Sequence, residues 1–94
     1  MPDAKLPLVY RVHALQRMVD RGIREEDVAR VISEGKEIES YPDDKPYPSR
    51  LLLAWVERRP IHVVAATSDH ETIIITVYQP DPSQWDSGFE KRKP

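Results

Sequence analysis

Two hydrophobic patterns with different periods divide the chain into a helical part and a sheet part. From Val12 onward, four apolar residues recur at three- and four-residue spacing, which is typical of one side of an α-helix: Val12, Leu15, Met18 and Val19. Gly22 follows as a helix-ending residue. We therefore predict a first helix over residues 12–21, with this apolar stripe facing the core.

A second helix is predicted over residues 25–34. Three acidic residues begin it, where the helix dipole favours negative charge. Val28, Val31 and Ile32 provide its apolar stripe, and Gly35 ends it. The joint between the two helices is short, so a helical hairpin or corner is expected.

After Gly35 the apolar residues alternate or form β-branched runs, which predicts strands. The expected strands cover residues 36–41, 50–57, 61–68 and 72–79. Because short connections join them, neighbouring strands should be antiparallel. The predicted fold class is α+β, with two N-terminal helices followed by a four-stranded antiparallel sheet.

The 94 residues are enough for one domain, with an expected core over about 10–80 and a C-terminal tail over 81–94. Residues 1–10 contain Pro2 and Pro7 and are interpreted as a lead-in. Trp85 and Phe89 make the tail too apolar to extend freely into solvent. We expect Trp85 to pack against the sheet or the first helix.

Alternation along the last strand separates two faces. One face should carry Ile73, Ile75 and Val77, and the other should carry Ile74, Thr76 and Tyr78. The all-apolar face is expected to pack on the helices. The mixed face, which also carries His62, is expected to remain open.

Composition narrows the class of protein. The chain has no cysteine, which excludes disulfides, thiolate zinc sites and cysteine nucleophiles and fits a reducing compartment. The first residues do not form a signal peptide, and no segment approaches the ~20 apolar residues that span a bilayer. A soluble cytoplasmic protein without a membrane partner is therefore expected.

Charge is unevenly distributed. The whole chain has a net charge of −2, whereas residues 1–24 carry +3 and residues 25–49 carry −5. A slightly acidic chain argues against a general nucleic-acid binder, and no DNA partner is expected. The basic charge is concentrated on the first helix, where a local anion site is compatible with the pattern.

His13, Arg17 and Arg21 repeat at four-residue spacing and form a polar stripe with Gln16 and Asp20 on the first helix. Guanidinium groups bind phosphate by bidentate hydrogen bonds, and a histidine can exchange a proton near neutral pH. The stripe is therefore a candidate site for RNA phosphate. An ordinary solvated helix face is the alternative interpretation.

His62 lies among aliphatic residues in a predicted strand, and Thr76 and Tyr78 lie in the next strand. His62 is either a second acid–base group on the open face or a buried histidine with a backbone partner. The two hydroxyls are candidates to hold a phosphate or a 2′-hydroxyl, although both residues are good strand formers. The spacing of His13, His62 and His70 is not that of a zinc site, and neither a metal nor a cofactor is expected.

Several local motifs together resemble the bacterial family called domain of unknown function 4258, over roughly residues 10–92. The motifs are HALQRMVDRGI at 13–23 with Glu26-Asp27-Val28 and Gly35, YPDDKPYPS at 41–49, PIHVV at 60–64, and Thr76-Val77-Tyr78 with a following Trp85. That family has been grouped with the RelE-like and MqsR-like ribonuclease toxins, which share two helices followed by a four-stranded antiparallel sheet. Some members lie beside genes for zinc-finger antitoxins of the MqsA kind.

The resemblance implies metal-independent endonucleolytic cleavage of RNA, with an antitoxin protein as a further partner. The motif match carries over six candidate site residues: His13, Arg17, Arg21, His62, Thr76 and Tyr78. In this hypothesis the two histidines act as base and acid in either order, and the two arginines clamp the phosphate. Tyr78 or Thr76 orients it. The alternative is a non-enzymatic binding module for a protein partner.

Overall fold

Two helices pack on one face of a five-stranded mixed sheet in the computed structural model, which describes residues 6–94. The elements are β1 Leu8–Tyr10, α1 Val12–Arg21, α2 Glu25–Glu34, β2 Lys36–Tyr41, β3 Ser49–Val56, β4 Arg59–Thr67 and β5 Thr72–Tyr78. The strand order across the sheet is β1-β5-β4-β3-β2. Both predicted helices are confirmed, and the four predicted strands lie within two residues of their expected bounds.

The predicted fold class, with a four-stranded antiparallel sheet, is wrong. A fifth strand, β1, pairs in parallel with β5 and lies within the segment that was expected to be a lead-in. The carbonyl of Pro7 accepts the Thr72 amide at 2.9 Å, and the Arg11 amide donates to the Ile74 carbonyl at 3.0 Å. Proline is tolerated at the start of this strand because only its carbonyl is used. Three residues are too few for alternation to reveal a strand, and residues 1–5 of the lead-in lie outside the described part.

The core-facing side of α1 also differs from the prediction. Ala14 and Met18 are buried, whereas Val12 is 71%, Leu15 41% and Val19 81% exposed. The small Ala14 side chain lets α1 approach β5 closely, and Met18 follows it one turn later on the same side. The apolar arc of this helix is broader than its contact with the sheet, and spacing alone could not show which part of the arc is covered.

A bulge in β5 changes the faces that alternation predicted. Val64 pairs with Thr76 and Ala65 pairs with Ile74, so one residue of β5, Ile75, has no partner on β4. Side chains of a strand alternate between the two faces of the sheet. The extra residue at the bulge therefore reverses this alternation for the part of β5 on one side of it. Ile74, not its neighbours, therefore faces the helices together with Val77, and the expected grouping of Ile73 and Ile75 with Val77 is wrong.

The hydrophobic core lies between the helices and the facing side of the sheet. Its buried members are Ala14, Met18, Ile23, Val28, Val31, Leu52, Val56, Ile61, Val63, Ala65, Ile74 and Val77. Ile61, Val63 and Ala65 occupy alternate positions of β4. Their neighbour His62 must therefore point to the opposite face.

Candidate functional site

Residues 81–94, which we call the C-terminal segment, cover the part of the sheet around His62 on the face opposite the helices. Trp85 is only 2% exposed, and its ring meets the His62 ring edge-on, with 4.5 Å between the centroids. Phe89 packs against Trp55 at 5.7 Å. The prediction that Trp85 packs against the sheet is confirmed, and the expectation that this face is open is wrong around His62 for the same reason.

His62 is fully buried between this segment and the sheet, at 0% exposure. Its Nε2 lies 2.9 Å from the Phe89 carbonyl oxygen, and its Nδ1 lies 3.1 Å from the Tyr78 hydroxyl. Because a carbonyl only accepts, the proton must be on Nε2, and in the neutral ring Nδ1 accepts the hydrogen bond of Tyr78. His62 therefore ties β5 and the C-terminal segment together across β4.

Burial lowers the pKa of His62 below its ordinary value of 6.5. The folded protein holds the His62 ring in its neutral form. The stability that the neutral ring contributes is therefore complete above pH 6.5 and is lost as the pH falls below 6.5 towards the lowered pKa. We expect the free energy of unfolding, measured with urea, to decrease between about pH 7 and about pH 5. His62→Gln should flatten this dependence. A dependence that persists in His62→Gln and disappears in His13→Gln or His70→Gln would contradict the assignment.

A charged pair lies beside the histidine and joins the edge strand β2 to the C-terminal segment. Arg92 donates from Nε and Nη2 to the two carboxylate oxygens of Glu39, at 3.0 and 3.3 Å. The Tyr41 hydroxyl donates to the same carboxylate. The Arg92 guanidinium also stacks over the Trp85 ring, 4.6 Å from its centroid. We call Glu39, Tyr41, His62, Tyr78 and Arg92 the tail-face cluster.

The protonation states within the cluster are coupled through these contacts. The Arg92 hydrogen bonds hold the pKa of Glu39 below its ordinary range. Burial, together with the hydrogen bond to Glu39, raises the pKa of Tyr41 to about 12. Burial also raises the pKa of Tyr78. The cluster therefore holds an ionised carboxylate and a guanidinium beside two protonated tyrosine hydroxyls.

The structure brings together only some of the residues predicted from the sequence. His62 and Tyr78 form a directly opposed pair of β4 and β5, and Thr76 lies one pair further along the same face. The residues of the α1 stripe are exposed on a helix that packs against the other face: His13, Arg17 and Arg21. His13 therefore does not meet His62, whose ring contacts are Tyr78, Trp85 and Phe89.

Sequence reasoning missed the acidic and basic members of the cluster. Glu39 and Tyr41 occupy alternate positions of β2 and so share a face, a signal that alternation could have provided. Arg92 carries no such signal, because it is 53 residues from Glu39 and meets it only through docking of the C-terminal segment. In the described residues 6–94, no group of histidine and carboxylate side chains is arranged to hold a metal ion.

One of the comparisons with known proteins identifies a family. The model for Domain of unknown function (DUF4258) matches residues 10–79. No curated protein and no solved structure matches the chain significantly. Neither α1 nor α2 has the length and apolar character that a membrane crossing requires. The match includes Glu39, Tyr41, His62 and Tyr78 but ends before the C-terminal segment, and because it covers more than half of the chain, the protein belongs to the DUF4258 family.

Proposed function

We propose that the protein cleaves RNA endonucleolytically without a metal, at the tail-face cluster. The observation that carries the proposal is the Glu39 carboxylate, bound by Arg92 and Tyr41, next to the His62–Tyr78 pair. A carboxylate base, a guanidinium for phosphate and phenolic donors are the groups that this chemistry needs. Arg92 and Glu39 also keep part of their side chains in solvent, at 57% and 26%, where RNA can reach them.

The reaction begins with attack of a ribose 2′-hydroxyl on the adjacent phosphorus. Glu39 accepts the 2′-hydroxyl proton while the bond from the 2′-oxygen to phosphorus forms. Arg92 stabilises the negative charge on the phosphate oxygens. The bond from phosphorus to the 5′-oxygen then breaks, and a tyrosine hydroxyl, of Tyr41 or Tyr78, donates the proton to the leaving oxygen. The products are a 2′,3′-cyclic phosphate and a 5′-hydroxyl.

Binding of the substrate activates the base in this proposal. The Glu39 carboxylate accepts three hydrogen bonds from Arg92 and Tyr41, which stabilise its ionised form and make it a weak base. A phosphodiester competes for the same guanidinium donors because it, too, accepts bidentate hydrogen bonds. When Arg92 turns to the phosphate, the pKa of Glu39 rises towards its ordinary value, and the carboxylate can accept the proton.

We further propose that the protein acts as a toxin of the RelE-like or MqsR-like kind and that an antitoxin protein restrains it in the cytoplasm. His62 orders Tyr78 and the C-terminal segment in the structure, and Thr76 lies beside them on the same face. The exposed α1 residues Arg17 and Arg21 provide further phosphate contacts for a long RNA. His13 has no part in the proton transfer, because it lies away from the cluster.

The first test is incubation of the folded, partner-free protein with an RNA oligonucleotide in the presence of EDTA. We expect fragments that end in 2′,3′-cyclic phosphate and 5′-hydroxyl groups. Tyr41→Phe and Tyr78→Phe identify the proton donor, since only the donor's loss should lower the cleavage rate by about a hundredfold. A folded protein that leaves RNA intact, or cleaves it only with added metal, contradicts the proposal.

A non-enzymatic protein-binding module is the second candidate function. The observation that favours it is the exposure of three aliphatic side chains on α1, those of Val12, Leu15 and Val19. Exposed apolar groups at helical spacing are a common feature of protein interfaces. If binding is the only function, the protein forms a stable hetero-complex that Val12→Ser with Val19→Ser abolishes, and neither free nor bound protein has affinity for RNA.

A further inference from the structure

Each of the polar and ring contacts that attach the C-terminal segment to the sheet involves at least one side chain. In the described residues, no backbone-to-backbone hydrogen bond joins residues 81–94 to a strand. The connections are ring contacts of Trp85 and Phe89, the His62 bond to a carbonyl oxygen, and two ion pairs. One ion pair is that of Arg92, and the other joins Lys36 to Glu90 at 2.9 Å. Detachment therefore leaves the backbone hydrogen bonds of the sheet intact.

The segment also has internal structure of its own. The Asp86 carboxylate accepts the Glu90 amide at 3.1 Å, and the Lys93 amide donates to the Gln84 carbonyl at 2.9 Å. Trp85 and Arg92 pair as an isolated antiparallel bridge. Pro80 and Pro82 separate this unit from β5, and the family match ends before it, at residue 79. The segment thus has its own hydrogen bonds and lies outside the residues that the family match covers.

Contacts of the segment occupy Glu39, the base of the proposed chemistry, and enclose His62, which orders Tyr78. The Phe89 carbonyl accepts a hydrogen bond from the Nε2–H group of His62, and the indole of Trp85 covers the ring. The guanidinium of Arg92 donates hydrogen bonds to both carboxylate oxygens of Glu39. In the closed state, the hydrogen-bonding groups of Glu39 and His62 are therefore paired with the segment, and substrate is kept away from His62.

We infer that the C-terminal segment is a latch that opens as a unit to admit RNA to the sheet face and then returns Arg92 to the bound phosphate, and that the latch restrains cleavage while it is closed without RNA. The inference rests on the function proposed above. RNA itself is suited to open the latch, because the chain ends in the basic run Lys91-Arg92-Lys93. A polyanion that binds this run competes with Glu39 for the Arg92 guanidinium.

Accessibility of His62 reports latch opening independently of activity. Diethyl pyrocarbonate acylates exposed imidazole, and mass spectrometry of peptides assigns each modified histidine. His13 and His70 are exposed and provide internal references in the same sample. In the wild type we expect His62 to react at least about a hundredfold more slowly than they do, since it reacts only in the open fraction.

Two variants loosen the latch without changing a residue of the cluster. Glu90→Lys turns the exposed ion pair with Lys36 into a repulsion and should raise the His62 reaction rate and the RNA cleavage rate, each by up to about fivefold. Trp85→Ala removes the buried anchor and should raise both rates by more than about tenfold. Asp69→Lys, in the exposed turn between β4 and β5, makes the same change in charge and should alter neither rate.

The outcomes separate the latch from the function on which it rests. Equal His62 reactivity in the wild type and both variants, or reaction only under conditions that unfold the whole domain, overturns the latch. Cleavage by the wild type that neither variant accelerates overturns its restraining role. If His62 becomes reactive in the folded variants and no protein cleaves RNA, the latch remains as a conformational unit and the proposed function fails.

Discussion

Replacing Trp85 with alanine lowers the free energy of unfolding by about 3 kcal/mol, the scale found for buried tryptophans. Trp85 is 2% exposed and contacts His62 and Arg92, so the substitution leaves a cavity and removes a ring contact and a cation–π contact. The loss is limited to the free energy that holds the latch closed, because the helix-facing core does not include Trp85. Urea unfolding followed by circular dichroism measures the change, and the Tm should fall by more than about 10 °C.

The other tryptophan provides a matched control. Trp55 is 50% exposed and contacts the segment only through Phe89. Trp55→Ala should therefore lower the free energy of unfolding by less than about 1 kcal/mol. Equal losses in the two variants, or a negligible loss in Trp85→Ala, would show that the C-terminal segment does not stabilise the domain.

Replacing Glu39 with glutamine lowers the rate of RNA cleavage by at least about a hundredfold, the usual contribution of a general base. The amide has the shape of the carboxylate and still accepts a hydrogen bond from Arg92 or Tyr41, but it cannot take the 2′-hydroxyl proton. Stability should change by less than about 1 kcal/mol, because the ion pair that is lost is partly exposed. Quantification of labelled RNA fragments under single-turnover conditions measures the effect.

Glu37→Gln is the control for this substitution. Glu37 lies on the same strand, is exposed, and its carboxylate is 3.9 Å from the Arg50 guanidinium and outside the tail-face cluster. The change in charge and shape is the same, so cleavage should continue at the wild-type rate. A similar loss in both variants would indicate a general effect of charge on RNA binding, not a base at position 39.

The spacing of apolar residues was sufficient to predict the helices and the longer strands, because in them the pattern repeats over several helical turns or several residue pairs. Both helices and the four longer strands were predicted because apolar spacing and terminal glycines are local signals. β1 was missed because its three residues depend on pairing with β5, which is 64 residues further along the chain. The bulge at Ile75 was missed for a related reason: an unpaired residue shows itself only against the partner strand.

The candidate site shows the same limit. His62 and Tyr78 were recognised because parity placed them on one face, and that pairing is correct. The burial of His62, and the meeting of Glu39 with Arg92, both depend on how the C-terminal segment docks. Spacing in the sequence carries no information on docking between distant segments. The sequence favoured the α1 stripe because its four-residue spacing can be seen in the sequence itself. The tail-face cluster forms only when distant segments of the chain pack together.

The most direct test of the central claim compares Glu39→Gln with Arg17→Glu in one RNA cleavage assay, with a thermal melt of each protein as a control for folding. We expect Glu39→Gln to lower the cleavage rate by at least about a hundredfold, whereas Arg17→Glu weakens RNA binding and leaves the rate with bound RNA unchanged. The opposite result, full cleavage by Glu39→Gln and none by folded Arg17→Glu, would contradict the account and place the chemistry on α1.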